Sequence, residues 1–316
     1  MGAGWIDEVG GSWFDAVGGT DAGLPHTFAM RADHPMVADD IKPNAHPFFP
    51  PHGWDGDLYA LTILPDFLKA EYGGMSWEKY LIEQIGDPPD VILSGPRGQG
   101  DDAKDSIDEM RILAVTQRPE ALGEILNQNK RLQLCFLQLM MMTPTSHPRT
   151  YFVLKLASRV GEVVMMRLKR YFNRPRPVQY FPTLYPPVPV PGHASYPAGH
   201  AVIAYLVACC LIEITTPDPT ESDGGDPPVS PYAKALIKLA DDIGLNRVYA
   251  GLHFPSDIRA GNKAGQITHQ ILKSLPDSEP PPYPAYFSYA SAIRAAKDEW
   301  KAPVWPPAPS HSGKSP

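Results

Sequence analysis

SYPAGHAVIAYLVACCLIEI, residues 195–214, is the stretch whose reading decides the fold. Residues 201–214 are apolar all round a helix, a pattern that requires other helices on every side. The uninterrupted apolar run, 201–212, is too short to cross a bilayer. The helix is therefore expected to be the buried centre of a protein core. Pro197 suits its first turn, where a missing N–H costs nothing. The amides of Ala198, Gly199 and His200 are then free at the helix start, and such a start attracts anions. Gly199 allows a ligand to approach the backbone closely.

Helical spacing continues on both sides. Val153, Leu156, Ala157, Val160, Val163 and Val164 place a helix over about 149–170. Further helices are predicted at Asp57–Tyr72, Ser76–Ile85, Ile107–Leu126, Lys130–Met142, around Leu236, Ala240 and Ile243, at Ser256–Leu275 and at Tyr289–Trp300. Arg118-Pro119-Glu120 reads as a helix start inside the third of these. Strand-like alternation is scarce, so the predicted fold class is all-α, a helical bundle. A loop-rich region, 1–104, is expected to pack on an α-helical oxyanion-binding domain, 105–300, followed by a disordered Pro/Ser-rich tail, 301–316.

The 316 residues carry 37 prolines, which stiffen long connections, and a net charge of -7. A field of that sign disfavours nucleic acid and anionic membranes as partners. Any anion site must be a local concentration of positive charge. The three cysteines, Cys135, Cys209 and Cys210, sit in apolar stretches and form no disulfide framework. The N-terminus has acidic residues and no basic start before an apolar run, so a cytoplasmic location is expected, or a periplasmic one after removal of a leader. A homo-oligomer is compatible with these features. His26, His34, His46, His52 and His147 lack metal-ligand spacing. Gly95-Pro96-Arg97-Gly98-Gln99-Gly100 lacks the context of a phosphate loop, and no nucleotide cofactor is predicted.

Three segments carry chemistry. Lys169-Arg170-Tyr171-Phe172-Asn173-Arg174-Pro175-Arg176-Pro177 ends a helix in a burst of cations. Basic residues there also complement a helix dipole without any further role. Ser195 to His200 places a histidine in the anion-attracting turn, where it could protonate a leaving oxygen or activate a peroxide. In the third segment, Arg247 continues the apolar stripe of Leu236, Ala240 and Ile243, so it points inward and needs an anionic partner. Pro255 opens the next helix and sets Asp257 in its first turn, from where the carboxylate can hold one nitrogen of His253. The other nitrogen is then free as nucleophile or ligand.

In this order and spacing the three segments resemble the type 2 phosphatidic acid phosphatase / vanadium-dependent haloperoxidase superfamily, over about 149–270. The resemblance implies that Lys169, Arg176, Arg247 and the backbone of Gly199 bind the oxygens of vanadate or phosphate. It implies that His200 is the acid–base residue, and that His253 is the phosphate-attacking nucleophile or the axial ligand to vanadium, oriented by Asp257. Where the family usually has Ser before Gly-His, this chain has Ala198, which removes one hydroxyl donor.

Two chemistries share such a pocket. His193, seven residues before His200, resembles the histidine that vanadium bromoperoxidases carry there. The expected function is accordingly vanadate-dependent halide oxidation with hydrogen peroxide, bromide favoured. Against it, Met166 stands where haloperoxidases often have Trp, and residues 171–177 and 251–257 look as much like acid phosphatases. Hydrolysis of a phosphomonoester through a phosphohistidine is the alternative, and a non-catalytic oxyanion-binding protein is a third reading. The Pro-rich stretch Phe181–Pro191 is expected to form a rigid loop over the pocket that limits substrate size.

Overall fold

The computed structural model describes residues 55–95, 104–217, 229–277 and 288–301. Most of the loop-rich N-terminal region and nearly all of the expected tail lie outside the described residues. Ten helices are found among those described, with four strands of two residues each. In chain order they are α1 (Gly56–Leu68), β1 (Glu71–Tyr72), β2 (Met75–Ser76), α2 (Trp77–Ile85), β3 (Val91–Ile92), β4 (Asp105–Ser106), α3 (Ile107–Thr116), α4 (Arg118–Leu139), α5 (Pro148–Phe172), α6 (Pro177–Tyr180), α7 (Gly199–Thr215), α8 (Ala233–Tyr249), α9 (Pro255–Ser274) and α10 (Tyr289–Lys301). The protein is all-α.

Helix α7 is the centre. From Val202 to Ala208 every side chain is buried, and α5, α8, α9 and α10 pack around it. Small residues set the closest of these contacts. A Cβ on Gly261 of α9 would lie 2.7 Å from both the Ala198 carbonyl oxygen and the Ala201 Cβ. One on Gly265 would lie 2.6 Å from the Val202 carbonyl oxygen. The two glycines, one helical turn apart, let α9 lie against the backbone of α7. That approach brings the start of α9, with Asp257, to the start of α7, with His200.

Helix α5 is joined to both ends of the described chain. Asp57 of α1 pairs with Lys155 and with Arg159, the latter at 2.9 Å. At the first turn of α5, the Glu299 carboxylate of α10 accepts from the amides of Arg149 at 2.6 Å and Thr150 at 2.8 Å. A carboxylate is well placed there, since it meets free N–H groups and the positive end of the dipole.

Three sequence-based boundaries move. The expected Lys130–Met142 helix is not separate: α4 runs unbroken through 118–139, because nothing between Leu126 and Lys130 interrupts a helix. Pro119 lies in the first turn of α4, and one residue, Gln117, separates α3 from α4. Pro197 lies outside α7, which starts at Gly199 with Ala198 as N-cap. Among the described residues, no helix is long and apolar enough to cross a membrane.

Gly265→Ala should destabilise the fold, because the new methyl meets backbone that cannot move aside. Overpacking of this kind costs roughly 1–3 kcal/mol. Urea unfolding measures it, and an unchanged midpoint would show that α9 does not rest on the α7 backbone.

Candidate active site

Motif cations gather at the N-terminal end of α7. Helix α5 stops at Asn173, whose left-handed φ of 46° turns the chain back across the helix end. Lys169, in the last turn of α5, is 2% exposed. Its Nζ donates to the carbonyls of Ala194 and Ser195, both at 2.8 Å. Arg176 is equally buried. Its Nε donates to the His193 carbonyl at 2.8 Å, and its Nη1 to the Leu252 carbonyl at 3.0 Å. These bonds tie the end of α5 to the segment entering α7 and to the loop before α9.

Arg247 lies in the last turn of α8 and is fully buried. Its Nη2 donates to the Ile125 carbonyl at 2.9 Å and its Nη1 to Asn129 Oδ1 at 3.4 Å. Its Nε is buried with no hydrogen-bond partner among the described residues. The expected anionic partner is thus absent from its described neighbours, since Asp257 is engaged by Arg174 instead. Among the described residues, Lys169, Arg176 and Arg247 form no salt bridge with any carboxylate. Burial opposes the charge on all three. It lowers Arg176 and Arg247 to about 10, and with Arg176 as the next cause it holds Lys169 well below its ordinary value. Buried charge without countercharge is costly, and an anion is what relieves it.

His253 faces this group. Its Nε2 lies 3.3 Å from Arg176 Nη1, and its Nδ1 lies 3.2 Å from both Asp257 Oδ2 and Ser195 Oγ. The guanidinium can only donate, so Nε2 must accept and Nδ1 must carry the proton. The imidazole is therefore held neutral, with the Nε2 lone pair on the side of the cations. Burial first, then Arg176 and Lys169, push its pKa well below the ordinary histidine range.

Asp257 connects these parts. Its Oδ1 accepts from Arg174 Nη1 at 2.7 Å. Its Oδ2 accepts from the Phe254 amide at 2.9 Å, from the Ser195 hydroxyl and from His253. Its own carbonyl accepts from the Ala198 amide at 2.9 Å, which fixes the N-cap of α7. Ala198 supplies no side-chain cap. Gly199 and His200 are the first two residues of α7, and both are buried. His200 hydrogen-bonds the Gln128 backbone, and burial, then Arg247, then His253 lower its pKa strongly.

His193 is half-buried at the edge of the group, with Nδ1 3.1 Å from Arg176 Nη2. Burial, Lys169 and Arg176 lower its pKa to about 4. The structure thus brings together Lys169, Arg176, His193, Gly199, His200, Arg247, His253 and Asp257. Of the stretch Phe181–Pro191, Leu184 and Tyr185 are held through their carbonyls by Arg118 Nη1, at 2.9 and 3.1 Å.

Residues 150–277 match the model of the PAP2 superfamily. They form a PAP2 superfamily domain. The chain is also similar to a non-specific acid phosphatase of Salmonella typhimurium, 28% identical over 138 residues. The similarity covers 42% of this chain and 50% of that protein, so the chain spans about half the length of this curated relative.

Sequence reasoning missed two groups of residues around the PAP2 domain. Arg174 and Ser195 stand inside the quoted motifs without an assigned part; adjacency to Arg176 and to Tyr196-Pro197 was the only signal. Ile125, Gln128 and Asn129 of α4, and Asp105 of β4, come from before residue 150 and carry no motif.

Arg247→Met should raise the thermal midpoint in phosphate-free buffer, because a similar apolar chain replaces a charge without countercharge. Exchanges of this type stabilise by up to about 1–4 kcal/mol. A lower midpoint would mean that the bonds to Ile125 and Asn129 already offset the desolvation of the guanidinium.

Proposed function

We propose that this chain hydrolyses phosphomonoesters through a phosphohistidine formed at His253. The observation that carries the reading is the pairing of three buried cations lacking carboxylate partners with an imidazole whose Nε2 lone pair faces them. A phosphoryl group supplies the missing negative charge and presents phosphorus to that lone pair. The likeness to a protein named non-specific acid phosphatase supports phosphate over other anions.

Each residue then has a task. Lys169, Arg176 and Arg247, with the amides at Gly199 and His200, hold the non-bridging oxygens and stabilise the charge that spreads over them. His253 Nε2 forms the N–P bond as the P–O bond to the alcohol breaks. The positive charge that develops on the imidazole is met by Asp257 through Nδ1–H. His200 gives a proton to the departing oxygen and takes one from the water that later cleaves the N–P bond. Burial and Arg247 hold free His200 neutral, and the negative charge of a bound phosphoryl group reverses that tendency. Protonation of His200 is thereby coupled to substrate binding.

Vanadate has the same charge and shape, and the unpartnered Nε of Arg247 among buried donors fits it equally well. Lys169, Arg176 and Arg247 would hold its oxygens, with His253 Nε2 as the protein's ligand to vanadium. When bound, vanadate supplies peroxide activation for halide oxidation. That second reading rests on His193 beside Arg176. It is weakened because burial, and then the two neighbouring cations, oppose protonation of His193, which lowers its value as a proton donor.

The test is hydrolysis of a chromogenic phosphomonoester by the wild type and His253→Ala, with bromide, peroxide and vanadate in parallel wells. Hydrolysis inhibited by vanadate is expected, lost on the order of 10³-fold or more in the variant. Bromination without ester hydrolysis would replace the phosphatase reading with the haloperoxidase one.

A further inference from the structure

Asp105 lies upstream of the PAP2 domain and is fully buried at its heart. Its own backbone fixes its place. Strand β4 pairs in parallel with β3, with Val91 opposite Asp105 and Ile92 opposite Ser106, and the Asp105 amide donates to the Asp90 carbonyl at 3.0 Å. Ser106 then caps α3.

Two connections run from its carboxylate to the nucleophile's support. Oδ2 accepts from Arg174 Nη2 at 2.8 Å, and Arg174 Nη1 donates to Asp257 Oδ1 at 2.7 Å. One guanidinium thus bridges two buried carboxylates, with its Cζ 4.3 Å from the centre of the Phe254 ring. In the second connection, Asp105 accepts from the Ser256 amide at 3.3 Å and from the Ser256 hydroxyl. Ser256 directly precedes Asp257 in the first turn of α9. Asp257 in turn lies 3.2 Å from His253 Nδ1.

A carboxylate held by a guanidinium that only it engages can rotate with its partner. Here the fork of Arg174 is fixed at both prongs, so Oδ1 of Asp257 has one place and Oδ2 is aimed at His253. Without the charge of Asp105, Nη2 loses its ion-pair partner and keeps neutral acceptors such as the Pro89 carbonyl, at 2.9 Å, and the first turn of α9 loses an anionic acceptor.

We propose that Asp105 is a positioning residue for His253, acting through Arg174, Ser256 and Asp257, so that a carboxylate from outside the PAP2 domain completes the site. The kinetic part of its test rests on the phosphatase reading; the spectroscopic part does not.

In the full-length chain, Asp105→Asn is compared with wild type by melting, by affinity for inorganic phosphate, by kcat and KM on a chromogenic phosphomonoester, and by the imidazole ¹⁵N–¹H resonances of His253. Those resonances are assigned from their loss in His253→Gln. Misplacement of a reacting group predicts a fall in kcat on the order of 10–100-fold, with KM and phosphate affinity within about threefold of wild type. The Nδ1–H resonance of His253 should shift or broaden. A folded variant with wild-type kcat and an unmoved His253 resonance overturns the proposal, as does a lower melting point with unchanged kcat and resonance. Should Asp105→Asn not fold, Ser256→Ala decides, since it removes the hydroxyl that donates to Asp105 and accepts from Arg174 Nη1; a smaller loss of kcat with a moved resonance supports the proposal, and no change in either overturns it. A wild type that hydrolyses no ester refutes the phosphatase reading alone, and the resonance comparison still decides the part played by Asp105.

Discussion

Asp257 accepts hydrogen bonds on both carboxylate oxygens and on its main-chain carbonyl, and together they reach three different segments. Arg174 arrives from the turn after α5, Ser195 and Ala198 from the approach to α7, and His253 and Phe254 from the loop before α9. A fully buried carboxylate is tolerable only with donors and a countercharge, and Arg174 provides the charge. The segments that carry the cations and the imidazole are registered against one another through this one group. The close approach of α9 to α7 at Gly261 and Gly265 is what delivers Asp257 to that position.

The same region holds its positive charges under tension. Arg174 is balanced, whereas Lys169, Arg176 and Arg247 rest on backbone carbonyls, one asparagine and imidazole nitrogens. A carbonyl dipole orients a cation without cancelling its charge. The desolvation of these groups is therefore a standing cost to the fold, offset by the apolar packing around α7, and a bound tetrahedral anion, as the proposed function requires, would relieve it. Preorganised charge of this kind needs no rearrangement when an anion arrives.

Much of this was legible in the sequence because the relevant interactions are local or periodic. The apolar run 201–212 announced a central helix, and the distance from Pro255 to Asp257 placed a carboxylate within reach of His253. The family likeness, carried by three ordered motifs, led to the same residues that the fold brings together. What stayed hidden depends on contacts between distant segments. Arg174 looked like one more cation in a basic cluster, and only the fold shows that it pairs with two carboxylates while Arg176 pairs with none. Asp105 and the Ile125–Asn129 stretch of α4 belong to no motif. The continuity of α4 was missed because its apolar pattern changes near Lys130 without any residue that breaks a helix. The balance between halide oxidation and phosphoester hydrolysis turned on His193, whose surroundings the sequence does not reveal. Its neighbours are cations, and the acid phosphatase likeness favours the hydrolytic reading.

The central claim is that His253 Nε2 bonds to phosphorus. It is tested most directly by mixing the protein with a phosphomonoester, quenching with base within a turnover, and locating any phosphoryl group by peptide mass spectrometry. The account predicts a transient phosphoryl group on the peptide containing His253 and on no other. Steady hydrolysis with that peptide unmodified, or with the phosphoryl group on another residue, would contradict it.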